Sequence, residues 1–274
     1  MGSTDRRVLY VLNVEWVRAW RPAVPGIAEV FHAHFVEHAY PLHTHDTWTL
    51  LVVDDGVIRY DLERAHHGTT AADVTLLPPH VPHDGRSATG AGFRKRVLYL
   101  DGGVLPDRLV GAAADLPNLR DPTLRRRIDQ LHRALGEPGS GFEAESRLAL
   151  ICDRLTQRLR RTSPATVPAR PAPIAARLRD LLDAGDRPGP TLREAADILQ
   201  AHPVHLVRSF TAAYGIAPHA YLIGRRVDAA RRLLLDGHTG AEAAVAAGFY
   251  DQAHLTRMFR RYLGTTPGRY AAAA

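Results

Sequence analysis

Short apolar runs separated by turn residues characterise the first hundred residues of the chain. The runs end at Asp54-Asp55-Gly56, at Gly68 and at Pro78-Pro79, which are residue types that interrupt strands and form turns. They predict strands over 47–53, 56–62, 74–77 and 93–100. Several short strands with turn signals at nearly regular spacing are typical of a sandwich or a small barrel. We therefore expect a β domain over residues 1–105.

The pattern changes to a helical period after Asp121-Pro122, a pair typical of an N-cap and a first helical residue. A break at 138–141 separates two such helices, and the second begins near Phe142. Their apolar residues recur every three or four positions, at Leu124, Ile128, Leu131 and Leu135 and then at Leu148, Ile151, Leu155 and Leu159. We expect a helical hairpin over 106–161. Its apolar seam packs either on the β domain of the same chain or on a second copy, and the second alternative makes the chain a homodimer.

A proline-rich segment separates this hairpin from the C-terminal region. Residues 162–173, TSPATVPARPAP, contain four prolines and no apolar period, which is typical of an exposed linker. From residue 174 to residue 274 the pattern is helical again. The chain is therefore expected to be an α+β protein of several domains.

The C-terminal region contains an internal repeat. The segment LVRSFTAAYGIAPHAY, which begins at Leu206, matches LTRMFRRYLGTTPGRY, which begins at Leu255, without a gap and at a constant offset of forty-nine residues. In each copy a glycine ends one helix and a proline three residues later begins the next. A duplicated supersecondary unit explains this match better than chance.

Each copy also has a shorter helix before it. In the first, Thr191 and Glu194 are spaced as a capping box; in the second, Asp251 is placed to cap the helix that contains Leu255. Helix, short turn and helix together form a helix-turn-helix, and two tandem copies with matched caps are a strong signal. A helix over 218–235 joins the copies, and its eighteen residues span roughly 27 Å. That length suits successive major grooves of double-stranded DNA, roughly 34 Å apart.

The last hundred residues resemble the DNA-binding domain of the AraC/XylS family of transcription regulators. The resemblance covers about residues 174–270 and is carried by two segments, RRVDAARRLLLDG and AAVAAGFYDQAHLTRMFRRYLGTTPGRY. The second segment contains the motifs GF, an acid-Gln pair, RMF and GxxPxxY. The chain departs from the pattern at Ala195, Gly240 and Ala243, where larger apolar residues are usual. Smaller side chains bury less area, so we expect looser cores there.

The resemblance also implies which residues contact DNA. They are Val204, Val207 and Arg208 in the first recognition helix and Gln252, Ala253, Thr256 and Arg257 in the second. Glutamine reads adenine, arginine reads guanine, and small apolar side chains touch the thymine methyl group. The alternative for the arginines and the glutamine is a solvated surface position or an ion pair. Four further arginines either contact phosphates or only solubilise the helices: Arg225, Arg226, Arg260 and Arg261.

Nine of the fifteen histidines lie between His32 and His83. His43 and His45 share one face of a strand, and with the later His83 they resemble the cupin barrel that precedes many AraC-type DNA-binding domains. The glutamate that metal-binding cupins place shortly after HxH is missing, because the residues from Asp46 to Thr49 are not glutamate. We therefore expect a small-molecule effector site, lined by His43, His45, Trp48, Tyr60 and His83. The alternative is a divalent metal ion held by the three histidines, with one coordination position open.

Composition narrows the function classes further. Thirty-five basic against twenty-nine acidic residues give a net charge of +6, which suits a polyanionic partner without proving one. Cys152 is the only cysteine, so the chain has neither an intrachain disulfide nor a cysteine zinc site. The start resembles neither a signal peptide nor a membrane span, and we expect a cytoplasmic protein.

Our interpretation is a transcription regulator and not an enzyme, in which an effector bound to the barrel alters DNA binding. If the regulator activates, RNA polymerase is a further partner. Two alternatives remain open: a metal-dependent cupin oxygenase or isomerase, and a regulator controlled by partner proteins whose barrel serves only oligomerisation.

Overall fold

Ten strands build the N-terminal half of the computed structural model, which describes residues 15–63, 65–162, 173–184 and 189–272. Their bounds are β1 Trp16–Trp20, β2 Ile27–Phe35, β3 Tyr40–His43, β4 Trp48–Gly56, β5 Ile58–Leu62, β6 Ala65–Thr69, β7 Val74–Leu77, β8 His83–Ser87, β9 Phe93–Leu100 and β10 Asn118–Leu119. The four predicted strands are confirmed as β4, β5, β7 and β9. The remaining strands were not predicted, because polar residues such as Glu29 and His32 interrupt the apolar alternation in β2.

The strands form two antiparallel sheets. One has six strands in the order β1-β2-β9-β4-β7-β10 and the other has four in the order β3-β8-β5-β6. Within the described residues the two sheets face each other without a continuous hydrogen-bonded ladder between them, so the cupin-like domain is an open sandwich and not a closed barrel. We use "barrel" below for these two sheets. β10 pairs with β7, so part of the region after residue 105 belongs to the larger sheet.

In the part of the chain that the structure describes, ten α-helices follow the main run of strands. Their bounds are α1 Val110–Asp115, α2 Pro122–Ala134, α3 Gly141–Thr162, α4 Pro173–Asp183, α5 Leu192–Leu199, α6 Pro203–Tyr214, α7 Pro218–Leu235, α8 Gly240–Ala246, α9 Gln252–Leu263 and α10 Pro267–Ala272. The predicted hairpin is α2 and α3, and the Asp121 side chain accepts a hydrogen bond from Leu124 N at 3.0 Å, as its capping role requires.

The apolar seam of the hairpin is used within the chain. Leu124, Leu131, Ile151 and Leu155 are fully buried in a core shared with the six-stranded sheet, which contributes Val30, Leu50 and Leu98 among others. Of the two predicted arrangements, packing on the same chain is therefore the one observed. A homodimer would have to use a different surface.

Two further cores belong to the C-terminal region. The core of the first unit lies among α4, α5, α6 and the start of α7. The second unit shares its core with the barrel: Val227 of α7 and Phe259 of α9 lie in one cluster with Phe35 and Tyr99. The predicted domain boundaries stay predictions, and residues 163–172 of the predicted linker lie outside the described residues.

The two units repeat each other closely but differ in one turn. Gly215 and Gly264 end α6 and α9 in the left-handed region, with φ of 69° and 67°, as predicted. The capping boxes Thr191–Glu194 and Thr239–Glu242 are offset by forty-eight residues, one fewer than the recognition helices. The distance from the capping box to the recognition helix is therefore one residue longer in the second unit. Because α8 is also one residue shorter than α5, the turn before α9 has five residues and the turn before α6 has three.

Candidate DNA interface and ligand site

The recognition helices α6 and α9 bury one face and expose the other. Leu206, Phe210, Leu255 and Phe259 are at most 1% exposed. The residues predicted to contact DNA lie on the remaining surface. Val204, Arg208, Gln252, Ala253 and Arg257 are exposed, and Val207 and Thr256 are half-buried. Helical spacing fixes this division, because the buried residues of each helix lie four apart.

The two recognition arginines are open to a partner. Among the described residues, neither Arg208 nor Arg257 forms an ion pair or a hydrogen bond. The ion-pair alternative is therefore not observed for them. Thr256 Oγ1 donates a hydrogen bond to the Gln252 backbone carbonyl oxygen at 2.8 Å. This bond lies within α9 and does not involve the Gln252 side chain.

The smaller residues that depart from the family pattern have different consequences. Ala195 lines a cavity of about 440 Å³ in the first unit, together with Val207. The cavity is open to solvent, and the looser core expected there stays a prediction. Gly240 leaves no such space, because a Cβ atom on it would lie 2.9 Å from Gln252 Nε2. The Gln252 side chain therefore lies against the start of α8.

Arg225 and Arg232 of α7 contact the barrel domain through Asp46. Arg225 Nη1 lies 2.9 Å from Asp46 Oδ2, and its Nε lies 3.1 Å from Asp183 Oδ1. Arg232 adds a second contact to Asp46 at 3.2 Å. Burial alone would raise the pKa of Asp46, but Arg225 and Arg232 outweigh it and lower that pKa. Arg225 is thus an interdomain contact, which differs from both predicted roles, a phosphate contact and a solubilising surface charge. Arg260 and Arg261 are exposed on α9.

Arg231 is the most deeply buried cation of this contact. Its side chain is 4% exposed, and Nη2 donates to Glu29 Oε1 of β2 at 2.6 Å while Nη1 lies 3.3 Å from Asp228 Oδ1. The guanidinium also lies 4.3 Å from the Tyr99 ring centroid. Buried ion pairs of this kind tolerate little displacement, since loss of one partner leaves an uncompensated charge.

Three histidines meet beneath α7. His43 Nε2 lies 3.1 Å from His45 Nε2, and one ring nitrogen from each of His43, His45 and His83 lies within 4.8 Å of the others. All three side chains are buried. The Nδ1 atoms of His43 and His83 contact the carbonyl oxygens of Pro41 and Val81 at 2.7 and 3.0 Å.

The third histidine connects the barrel to the helical region. His45 Nδ1 faces the Asp228 carboxylate of α7 at 3.3 Å. Burial lowers the pKa of His43 well below its ordinary range, and burial together with His45 lowers that of His83 to about 3. The imidazoles of His43 and His83 are therefore neutral at physiological pH.

The cavity beside these histidines is small. It measures about 40 Å³ and includes His43, His45, Tyr60 and His83 among its lining residues, as predicted, together with Lys95. Burial, assisted by Arg231, lowers the pKa of Lys95 to about 7. A water molecule needs roughly 10–15 Å³ of such space, so the cavity has room for a few waters, well below the several hundred Å³ of a typical organic ligand pocket.

Trp48 does not line this cavity, in contrast to the prediction. It is fully buried on the opposite face of β4, in the core shared with α2 and α3, while its neighbour Thr49 faces the cavity. Successive residues of a strand point to opposite faces. The turn between His45 and Trp48 breaks the strand, so their relative orientation does not follow from counting residues.

Comparison with known proteins identifies the family. The model of the AraC-like ligand binding domain matches residues 26–152, and the model of a helix-turn-helix domain matches residues 195–273. Together they cover about three quarters of the chain. The chain belongs to the AraC family of transcription regulators.

Two curated AraC-type relatives support this assignment. The uncharacterized HTH-type transcriptional regulator YbfI of Bacillus subtilis (strain 168) is 23% identical over 238 residues, which are 83% of this chain and 85% of that protein. The virulence regulon transcriptional activator VirF of Yersinia enterocolitica is 39% identical over 61 residues, 22% of each chain. The longer match extends over both regions of this AraC-family chain.

A solved structure shares the whole architecture. ToxT from Vibrio cholerae O395 superposes with a TM-score of 0.56 at 10% sequence identity, over 94% of this chain and 97% of that one. At that identity the likeness shows a shared fold only. No described helix of this AraC-family protein has both the length and the apolar character needed to cross a membrane.

Several residues of the site escaped the sequence analysis of this AraC-family regulator. Glu29, Asp228 and Arg231 form the buried contact between barrel and helices, and Lys95 lines the cavity. The only local signal was an arginine on the apolar side of α7, since Arg231 lies four positions after the buried Val227 and three before the buried Leu234. Their partners are far away in the chain, 202 residues in the case of Glu29 and Arg231.

Proposed function

We propose that this AraC-family regulator binds a specific DNA site through α6 and α9, and that a small ligand bound beside His43, His45 and His83 changes its DNA affinity. The observation that carries the proposal is the position of α7. This one helix joins the two helix-turn-helix units and contacts the histidine cluster through Asp228.

The contact supplies a route for coupling. Gly224 of α7 packs on the segment that carries His43 and His45. A Cβ atom built on Gly224 would lie 3.8 Å from Thr44 O and 3.9 Å from the His43 Cβ atom. A ligand that moves this segment therefore either moves α7 as well or breaks the contact between the segment and α7. A ligand with different affinities for two arrangements shifts the population between them.

The cavity size restricts the ligand. ToxT from strain SCE256 has been solved as an unsaturated fatty acid bound protein, at 12% identity and a TM-score of 0.55. A ligand of that size does not fit about 40 Å³, so here it would require the barrel to open. We infer a small polar ligand instead. A barrel interior filled by side chains also favours the partner-controlled alternative, which a ligand-independent DNA affinity would support.

The DNA-binding part is tested by site selection. The full chain is used to enrich binding sites from random duplexes, and affinities for the winning site are measured for wild type, Arg208→Ala and Arg257→Ala. Each substitution is expected to cost about 1–3 kcal/mol and to relax preference at one base pair. Arg108→Ala, an exposed arginine of the barrel region, is the control and should bind like wild type. Failure to enrich any sequence contradicts the proposal.

We further infer a homodimer. Since the seam of the hairpin is buried within the chain, the candidate surface is the outer side of α3, where Phe142 is 84% and Leu150 52% exposed. Light scattering of wild type and of Phe142→Ser/Leu150→Ser tests this, and a monomeric wild type contradicts it.

The remaining partners follow from the regulatory role. We place the protein in the cytoplasm, where its DNA is, and we expect its barrel to bind a ligand without transforming it. RNA polymerase is a partner if the selected sites lie where activators bind. Promoter fusions measure whether the protein raises transcription from such sites.

A further inference from the structure

Lys95 is the only lysine of the chain, and its side chain lies inside the barrel. It belongs to β9, which pairs with β2 on one side and β4 on the other. Alternate residues of a strand share a face, and on this face Phe93, Val97 and Tyr99 are buried in the core. Lys95 itself is 7% exposed and lines the cavity of about 40 Å³. A charged ammonium group at such a position is costly unless a partner compensates it.

Within the described residues, no carboxylate compensates this group. Arg231, which is also buried, forms ion pairs with Glu29 and Asp228. Lys95 Nζ forms neither an ion pair nor a hydrogen bond with any described residue. Loss of its proton removes the cost of burying the charge, and burial, assisted by Arg231, lowers the pKa of Lys95 to about 7. A large part of the protein therefore holds a neutral amine at physiological pH.

A neutral lysine amine is a nucleophile. Lysines that react with carbonyl compounds are activated by removal from water or by a nearby second cation, and Lys95 has both, since Arg231 lies close enough to act on it. Arginine stays protonated in proteins and does not supply this chemistry. The chain has arginine at all its other lysine-or-arginine positions, so its one lysine lies at a site where arginine would not serve.

The cavity beside Lys95 also contains polar atoms that are not satisfied by the protein. Among the described residues, the Tyr40 hydroxyl and Thr49 Oγ1 are buried and have no hydrogen-bond partner, and both residues line the cavity. Buried hydroxyl groups are costly to leave unpaired, so these atoms indicate a polar ligand. With roughly 10–15 Å³ for each water-sized group, the cavity has room for about three or four non-hydrogen atoms.

We propose that Lys95 Nζ binds a small aldehyde, of about two or three carbon atoms, covalently as a Schiff base in this cavity. The nitrogen lone pair attacks the carbonyl carbon, and the resulting carbinolamine loses water as the C=N bond forms. The oxygen of that water comes from the aldehyde and its two hydrogens come from the amine, so the step needs neither an oxidant nor a reductant. Hydrolysis reverses it and releases the aldehyde unchanged.

The rings around Lys95 favour an aldehyde over carbon dioxide, another small electrophile that reacts with lysine amines. Nζ lies 4.1 Å from the ring centroid of Tyr40, 5.7 Å from that of Phe31 and 6.0 Å from that of Phe93. The face of an aromatic ring is electrostatically negative and attracts cations. A protonated Schiff base keeps this attraction, whereas the carbamate formed from carbon dioxide is an anion that the rings repel.

Tyr40 connects the aldehyde site to the helical region. Its ring contacts Lys95 Nζ, and it also lines a narrow crevice beneath α7 together with Gly224 and Asp228. A ligand on Lys95 therefore changes the surroundings of a residue that lies against α7. The effect on DNA binding rests on the proposed function, whereas the reaction of Lys95 with an aldehyde does not.

The reaction is tested on the full chain with Arg108→Lys, which adds one exposed lysine as an internal reference. The protein is incubated at pH 7 with glycolaldehyde and cyanoborohydride, which reduces a Schiff base to a stable amine, and mass spectrometry quantifies the modified peptides. Lys95 is expected to react at least about 10-fold faster than the lysine at position 108, because a lysine of ordinary pKa, about 10.4, holds almost no neutral amine at this pH. After unfolding in urea the two rates should be equal.

A larger aldehyde separates binding in the cavity from general reactivity. Benzaldehyde is too large for about 40 Å³, so it should modify the lysine at position 108 and leave Lys95 unmodified. Two results overturn the site. One is a folded protein in which Lys95 reacts with glycolaldehyde no faster than the lysine at position 108. The other is a Lys95 that reacts with benzaldehyde as readily as with glycolaldehyde.

The regulatory consequence is tested with wild type and the selected DNA site. DNA affinity is expected to differ at least about 5-fold between untreated protein and protein modified at Lys95 with glycolaldehyde. Protein treated with benzaldehyde, in which Lys95 is unmodified, is the control and should bind like untreated protein. Equal affinities for all three overturn the link between Lys95 and DNA. A protein whose Lys95 reacts as expected but which selects no DNA sequence refutes the proposed function and leaves the aldehyde site in place.

Discussion

Gly264 and Gly215 occupy equivalent positions in the two helix-turn-helix units, but only Gly264 faces the barrel closely. Both have left-handed φ values, 67° and 69°. A Cβ atom on Gly264 would lie 2.5 Å from Phe35 Cε1 and 3.0 Å from His38 Cγ, whereas on Gly215 the nearest atom is Pro82 Cγ at 3.8 Å. Gly264→Ala therefore adds a clash with the barrel to a backbone cost that both variants share.

The magnitude follows from these distances. The shared left-handed cost is about 1–2 kcal/mol and cancels in the comparison. Phe35 is fully buried and its ring centroid lies 4.7 Å from that of His38, so neither ring can withdraw freely, and overpacking of this kind costs about 1–3 kcal/mol. We expect Gly264→Ala to lose that much more stability than Gly215→Ala.

The assay is urea denaturation of both variants and wild type, with midpoints compared at a common slope. Equal losses for the two variants would refute the reasoning, because they would mean that the second unit does not pack on β2 in solution. A lower slope in Gly264→Ala alone would instead mean that the clash separates the two regions, and the midpoints could then not be compared at a common slope.

Three further predictions concern the same contacts. Glu29→Gln should destabilise the chain by about 3 kcal/mol, because Arg231 is left buried with only Asp228; a double-mutant cycle with Arg231→Met should show coupling, and additive effects would contradict the ion pair. Ala195→Leu should partly fill the 440 Å³ cavity and stabilise the first unit by about 0.5–2 kcal/mol, seen as a raised denaturation midpoint; a lowered midpoint would mean that the cavity cannot accept the side chain. Because the pKa of Asp46 is lowered in the folded state, its stabilising contribution should be fully present above the ordinary aspartate pKa of about 3.9 and should be lost as the pH falls below that value. Asp46→Asn should remove that part of the acid dependence of the free energy of unfolding, and an unchanged acid profile would contradict the stabilising role of Asp46.

Local features of the chain were predictable because local residues determine them. The caps at Asp121, Thr191 and Asp251 and the stops at Gly215 and Gly264 all lie where their residue types indicate. The same holds for the exposed face of each recognition helix, which follows from the spacing of its buried residues. The helix-turn-helix repeat therefore predicted which side of each recognition helix is exposed without coordinates.

Long-range contacts were not predictable from one sequence. His45 meets Asp228 across 183 residues and Arg231 meets Glu29 across 202, and no local pattern pairs them. Arg225 illustrates the consequence: on a helix wheel it is an exposed cation suited to phosphate, but the barrel covers it with Asp46. Trp48 was misplaced for a related reason, since a break in the strand hides which face it occupies.

The central claim is that two recognition helices, joined by α7, read one DNA site in separate grooves. Methylation interference on the selected site measures this directly, with wild type, Arg208→Ala and Arg257→Ala compared. We predict two clusters of major-groove contacts about one helical turn apart, one weakened by each substitution. A single cluster, or two clusters that neither substitution changes, would contradict the account.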